Sequence, residues 1–255
     1  MDKMNQLPSL TSSLYKTKED LDYHEHLKTT FDNSCLSTID KLANFALYVP
    51  RQALTRCISK YELFKKALNV NGSIVECGVY MGGGLMTFAQ LSAILEPINY
   101  TRKVIGFDNF KGIEKLSSKD KSTSLSKVGK LDPTSKAYAE LKNAITLFDQ
   151  NRHIKHIPKV ELIVGDIVKT VPKYLKKHPE LIVSLLYLDC PLYEPTKVAL
   201  SQFLPRIPKG GVIAFDELNA KDWPGETSAL LEEIDLSNVS IQRFSFDTYT
   251  SYIVR

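Results

Sequence analysis

The stretch SIVECGVYMGGGLMTFAQLSAIL, Ser73 to Leu95, passes from a short apolar run through a glycine-studded turn into a segment with Leu85, Phe88, Ala89 and Leu95 on one helical face. It reads as strand, tight connection and helix. The same alternation continues in KVIGFD, VELIVGD, VSLLYLD and GVIAFDEL, which are separated by helix-competent segments. Strands alternating with helices predict an α/β fold, Rossmann-like, with a mostly parallel sheet and helices on both faces. VSIQRFSF, DTYT and SYIVR at the carboxyl end predict an antiparallel hairpin closing the sheet.

Working outward, the 255 residues, 43% apolar and 24% charged, fit one globular domain over 1–255 with a sizeable core. Upstream of Ser73, STIDKLANFALYV and, after Pro50, RQALTRCISKYELFKKAL predict a helical extension over 1–68. Residues 112–158 form an insertion, polar and lysine-rich at first and helical around Ala137 to Phe148, of the kind that serves as a lid. The net charge of +4 is small and dispersed, which argues against a nucleic-acid groove. Cys35, Cys57, Cys77 and Cys190 form no CxxC pair and read as reduced thiols. MDKMNQLPSL lacks the apolar core of a signal peptide, and no run reaches the length of a membrane helix, so a cytoplasmic protein without membrane partners is expected.

Five strands end in acids: Glu76, Asp108, Asp166, Asp189, and the pair Asp216 and Glu217. Any one of them has an ordinary explanation as a helix cap or turn residue. Together they line one edge of a parallel sheet, where ligands of open α/β folds bind. In the glycine stretch, Gly78 permits a tight turn, and Gly82, Gly83 and Gly84 admit close approach at a helix N-terminus. The order G-x-x-x-G-G-G departs from G-x-G-x-x-G, and Asp108 lies further on than the ~20 residues of a dinucleotide fingerprint. No Gly-Lys-Ser or Gly-Lys-Thr comes after it, which weakens a phosphate loop still more. A nucleoside carrying a charged amino-acid tail remains. The glycine loop would take the tail, Asp108 the ribose hydroxyls, and Asp166 with Ile167 the adenine, as for S-adenosyl-L-methionine. The candidate cofactor-binding residues are Glu76, Gly78, Tyr80, Gly82, Asp108, Asn109, Asp166, Ile167 and Asp189.

SIVECGVYMGGG, IGFDNFKG, LYLDCPLYEPTKVAL and RIPKGGVIAFDELNAKDWPGET resemble the macrocin O-methyltransferase family from about Thr38 to the carboxyl terminus. The resemblance implies a class I methyltransferase that uses S-adenosyl-L-methionine to methylate a hydroxyl of a sugar, nucleotide-sugar or glycosylated natural product. It implies a homo-oligomer with the N-terminal helices over the cofactor. It also implies Mg²⁺ held by Asp189, Asp216 and Glu217, whose hard oxygens suit that ion.

The family pattern is Asp-x-Asp, its second aspartate serving as general base, and Pro191 stands in that place here. Another group removes the proton, or the metal alone acidifies the hydroxyl, or ordinary activity is lost. Besides Asp189, His153 and His156 are the catalytic candidates, at i, i+3 spacing in the insertion. A methyltransferase of a non-sugar metabolite and a silent cofactor-binding homologue are the alternatives.

Overall fold

Alternation at a period of two residues lets each strand of a central sheet serve two apolar layers at once. A computed structural model describes residues 17–121, 126–133 and 136–255. The leader reading of MDKMNQLPSL and parts of the insertion, 122–125 and 134–135, lie outside them. The elements are α1 (Lys18–Asp32), α2 (Thr38–Ala43), α3 (Arg51–Ala67), β1 (Ser73–Cys77), α4 (Gly83–Leu95), β2 (Val104–Asp108), α5 (Ala137–Gln150) and β3 (Val160–Val164), then α6 (Ile167–Lys177), β4 (Val183–Leu188), α7 (Tyr193–Phe203), β5 (Val212–Phe215), α8 (Pro224–Glu233), β6 (Gln242–Arg243) and β7 (Ser251–Val254). The seven strands run in the order β3-β2-β1-β4-β5-β7-β6, parallel from β3 to β5. Strand β7 joins antiparallel to both β5 and β6, so the expected closing hairpin is present, with β6 only two residues long.

On one face Val75, Cys77, Leu186, Leu188, Ile213 and Phe215 pack against Val171 of α6, Phe203 of α7 and Leu230 of α8. On the other, Ile74, Leu185, Tyr187, Val212 and Ala214 pack against Leu63 and Phe64 of α3, Leu85 and Phe88 of α4, and Leu141 and Phe148 of α5. Helices therefore cover both faces.

The chain forms two compact units, Met1–Thr55 and Arg56–Arg255. The extension expected over 1–68 is thus divided within α3, whose Ser59, Lys60, Leu63, Phe64 and Ala67 are buried in the second unit. In the first unit Ser37 caps α2 by accepting the Asp40 N–H at 3.1 Å, and none of the described side chains is buried. In the insertion, α5 is fixed in the core by Leu141 and Phe148. The segment before it is tied at Asp120, whose carboxylate accepts N–H bonds from Ser117 and Tyr193, both at 2.8 Å. Among the described residues no helix is long and apolar enough to cross a membrane.

Candidate active site

Because side chains alternate along a strand, register decides which acids meet. Glu76, Asp108, Asp189 and Asp216 fall in step with Ile74, Val104, Leu185 and Val212, and so emerge at the carboxyl edge on the side of α3, α4 and α5. Asp216 is 1% exposed. Arg56 of α3 grips it with two bonds, Nη1 to Oδ1 at 3.3 Å and Nη2 to Oδ2 at 2.9 Å, and Nη1 lies 4.0 Å from Asp189 Oδ2. The Tyr187 hydroxyl donates to Asp216 Oδ1 at 2.7 Å. One turn along α3, Lys60 is buried with its Nζ 3.9 Å from the centroid of the Tyr187 ring, a cation–π contact.

Glu217 falls in step with Ile213 and Phe215 and meets Glu226 of α8, which is wholly buried and accepts the Glu217 N–H at 3.1 Å. Glu76 Oε2, Glu217 Oε2 and Glu226 Oε1 are buried without a hydrogen-bond partner. Two cations, Arg56 and Lys60, thus face a larger set of acids. Burial pushes the Glu76, Glu217 and Glu226 carboxyls well above the usual range. The Asp189 carboxyl is pushed up to about 7, first by burial and then by Asp216, against the pull of Lys60 and Arg56.

These residues fit a divalent cation. One oxygen each from Asp189, Asp216 and Glu217 lies within 4.8 Å of the others, and an octahedral ion with ligands at about 2.0–2.1 Å spans ~4 Å between opposite ligands, so the carboxylates would have to close in to hold one. An unpartnered buried oxygen on Glu217 is a donor in want of such a charge.

The raised carboxyls make a pH prediction. An unfolded chain releases these protons near pH 4, whereas folded Asp189 holds its proton to about 7. Between those values the folded state binds more protons, so stability falls as pH rises, by up to about 1.4 kcal/mol per pH unit. The 28% exposure of the Asp189 side chain reduces that figure through solvent screening. We expect the protein in chelator to melt at a higher temperature at pH 5 than at pH 8, and Mg²⁺ to remove most of the difference. Melting curves at both pH values check this; a higher melting temperature at pH 8 in chelator would contradict it.

The glycine loop is built from inside. Gly78 has φ +92°, and a Cβ there would lie 2.0 Å from the Asp189 carbonyl oxygen, so the turn after β1 must pass directly over the end of β4. A Cβ on Gly84 would lie 2.1 Å from Glu76 Oε1, so α4 starts against that carboxylate, whereas Gly83 faces open space. Asp108 Oδ2 accepts the N–H groups of Val79 at 2.6 Å and Tyr80 at 2.8 Å, and Oδ1 accepts that of Phe110 at 2.6 Å. One carboxylate thereby fixes the loops after both β1 and β2.

Residues 51–230 match the model of the family described as Macrocin-O-methyltransferase (TylF). The chain belongs to the macrocin O-methyltransferase family. It is similar to the crystal structure of CalS11, calicheamicin methyltransferase, at 30% identity over 94% of each chain with a TM-score of 0.90. The apo structure of CalS11, TDP-rhamnose 3'-O-methyltransferase, aligns at 30% identity over 94% of this chain and 96% of that one, TM-score 0.82. The O-methyltransferase NovP shares the fold at 19% identity over 79% of each chain, TM-score 0.61. No curated protein sequence matches. The protein is an S-adenosyl-L-methionine-dependent O-methyltransferase with the class I fold.

Within this macrocin-type methyltransferase the predicted residues divide. Glu76, Asp108, Asp189, Asp216 and Glu217 share one end of the sheet. Asp166 caps α6, accepting the Val168 N–H at 3.0 Å, and Ile167 is buried in the core. Asn109 holds the turn after β2, donating to the Gly112 carbonyl at 2.9 Å, and Tyr80 sits in the glycine loop at φ +53°. His153 and His156 are both exposed in the segment leading into the start of β3, at the amino edge of the parallel strands, while Asp189 lies at the carboxyl edge. Within one copy of the chain, strand direction therefore does not bring them together with the acids. Arg56, Lys60, Tyr187 and Glu226 were not singled out from the sequence; the i, i+4 spacing of Arg56 and Lys60 on one helical face was the available signal.

Proposed function

We propose that the protein transfers the methyl group of S-adenosyl-L-methionine to a hydroxyl of a sugar, carried on a nucleotide or in a glycosylated natural product, with Mg²⁺ held by Asp189, Asp216 and Glu217. The observation that carries the metal is the trio of carboxylate oxygens within 4.8 Å. The sugar acceptor is supported by the activity of CalS11, a TDP-rhamnose 3'-O-methyltransferase at 30% identity. In this scheme the glycine loop receives the charged amino-acid tail with its ammonium group toward the unpartnered Oε2 of Glu76, Asp108 takes the ribose, and Asp166 with Ile167 border the adenine.

A bound dication would lower the pKa of the acceptor hydroxyl. With Pro191 in the place of the usual base and both histidines at the far edge, that effect and positioning carry the reaction. Holding the oxygen in line with the sulfonium methyl supplies roughly 7–11 kcal/mol, against roughly 10²- to 10⁴-fold for a general base. The part of the insertion tied at Asp120 is assigned the covering of the acceptor. We assign a homo-oligomer, in which Ile39, Leu42 and Leu47 of the first unit, all exposed, would find cover, and a cytoplasmic location.

The test is incubation with S-adenosyl-L-methionine and a panel of nucleotide-linked sugars, with mass spectrometry of the products, in chelator and after Mg²⁺ is restored. A methylated sugar and S-adenosylhomocysteine are expected only with the metal. Turnover of non-sugar alcohols alone would remove the sugar assignment, and full turnover in chelator would remove the metal. Cofactor binding with no turnover on any acceptor would leave a silent homologue, as Pro191 alone would suggest.

A further inference from the structure

The grip of Arg56 on Asp216 bears on how a metal could enter. Its guanidinium uses both Asp216 oxygens, at 2.9 and 3.3 Å, and reaches to 4.0 Å from Asp189, so it lies against two of the three side chains that could hold an ion. Asp216 is nearly inaccessible, at 1% exposure, whereas Arg56 retains 30%. A planar fork satisfying both oxygens of a buried carboxylate is a strong, geometrically specific contact. It supplies the positive charge that these crowded acids require, and a dication sharing the same oxygens would lie against a fixed cation.

We propose that Arg56 is the resident counter-ion of Asp216 and competes with the divalent cation for it, so that metal binding displaces the guanidinium toward the open crevice. This rests on the metal reading given above. Asp216 itself stays in place during the exchange, because Tyr187 holds Oδ1 from below at 2.7 Å. Lys60 keeps its seat over the Tyr187 ring and is not part of the exchange. Arg56 thereby sets the affinity of the centre without being one of its ligands: it keeps the metal-free site folded and makes the ion exchangeable.

The experiment measures Mn²⁺ affinity by electron paramagnetic resonance of the free ion, on the full chain and on its Arg56→Met and Arg56→Lys variants, without acceptor. Removing a competitor must tighten binding, and a coupling of ordinary size is about 5- to 150-fold. Arg56→Met is expected to bind Mn²⁺ at least about fivefold more tightly than the unaltered protein, with Arg56→Lys between them because a point charge cannot make the fork. Arg56→Met should also melt at a lower temperature in chelator and recover more than the unaltered protein does when Mn²⁺ is added. Should Arg56→Met fail to fold, Arg56→Lys decides on the same affinity scale. Equal or weaker Mn²⁺ binding in the folded variants, with normal binding by the unaltered protein, overturns the competition and leaves the metal reading intact. Absence of Mn²⁺ binding in every form removes the metal reading and this proposal with it. Binding by the variants alone supports the competition in its strongest form.

Discussion

Replacing Asp108 by Ala is expected to weaken S-adenosyl-L-methionine binding by at least about 100-fold, since hydrogen bonds to a charged group are worth roughly 1.5–3 kcal/mol each. Three backbone N–H groups converge on this carboxylate. Two of the donors, Tyr80 at φ +53° and Phe110 at φ +52°, are non-glycine residues in the left-handed region. Such conformations cost of order 1–3 kcal/mol each and persist only where the surroundings impose them. Without the carboxylate three of the bonds that hold these residues there are lost, and the glycine loop is expected to relax away from its binding geometry. Asp108→Asn keeps one acceptor oxygen and should fall between the two. Calorimetric titration with S-adenosyl-L-methionine and S-adenosylhomocysteine measures both variants, and unchanged affinity in Asp108→Ala would sink the assignment.

Asp189→Asn is expected to cut kcat by about 10²- to 10³-fold, the size found when a preorganised electrostatic group is lost, while cofactor affinity changes little. The same substitution should raise the melting temperature of the protein in chelator. Its carboxylate is pressed by burial and by Asp216, and a neutral amide of the same shape relieves both. Loss of activity with gain of metal-free stability marks a group kept for chemistry at a cost to the fold. The substitution spares the Gly78 turn, which rests on the Asp189 backbone carbonyl rather than on its side chain. Turnover assays with and without Mg²⁺, paired with melting curves, give the two readouts. Full turnover by the variant would refute the role, and a lowered melting temperature in chelator would show Asp189 to be structural.

The sheet was legible in the sequence because each of its parallel strands is a short apolar run, and an apolar run cannot be left in water. Asp189 was legible for the complementary reason: the run LLYL closes on a charge as four other strands do, and acids repeated at the ends of parallel strands line one edge of the sheet. The position of His153 and His156 relative to the sheet was legible too. They precede VELIV, and in a parallel sheet residues just before a strand lie at the edge opposite to residues just after it.

Arg56, Lys60 and Glu226 were not legible. Basic and acidic residues on amphipathic helices ordinarily form the solvated face, and a sequence gives no distance between α3, α8 and the end of β5. Local pattern determined the strands, their order of succession, the acids at their ends and the glycine loop. Tertiary structure alone decided that Arg56 meets Asp216, that Glu226 is sealed beside Glu217, and that Asp108 ties two strained loops together. Periodicity is a property of neighbouring residues and fixes which face a side chain takes, whereas the balance of buried charge depends on residues as far apart as Arg56 and Asp216, and only packing brings those within reach.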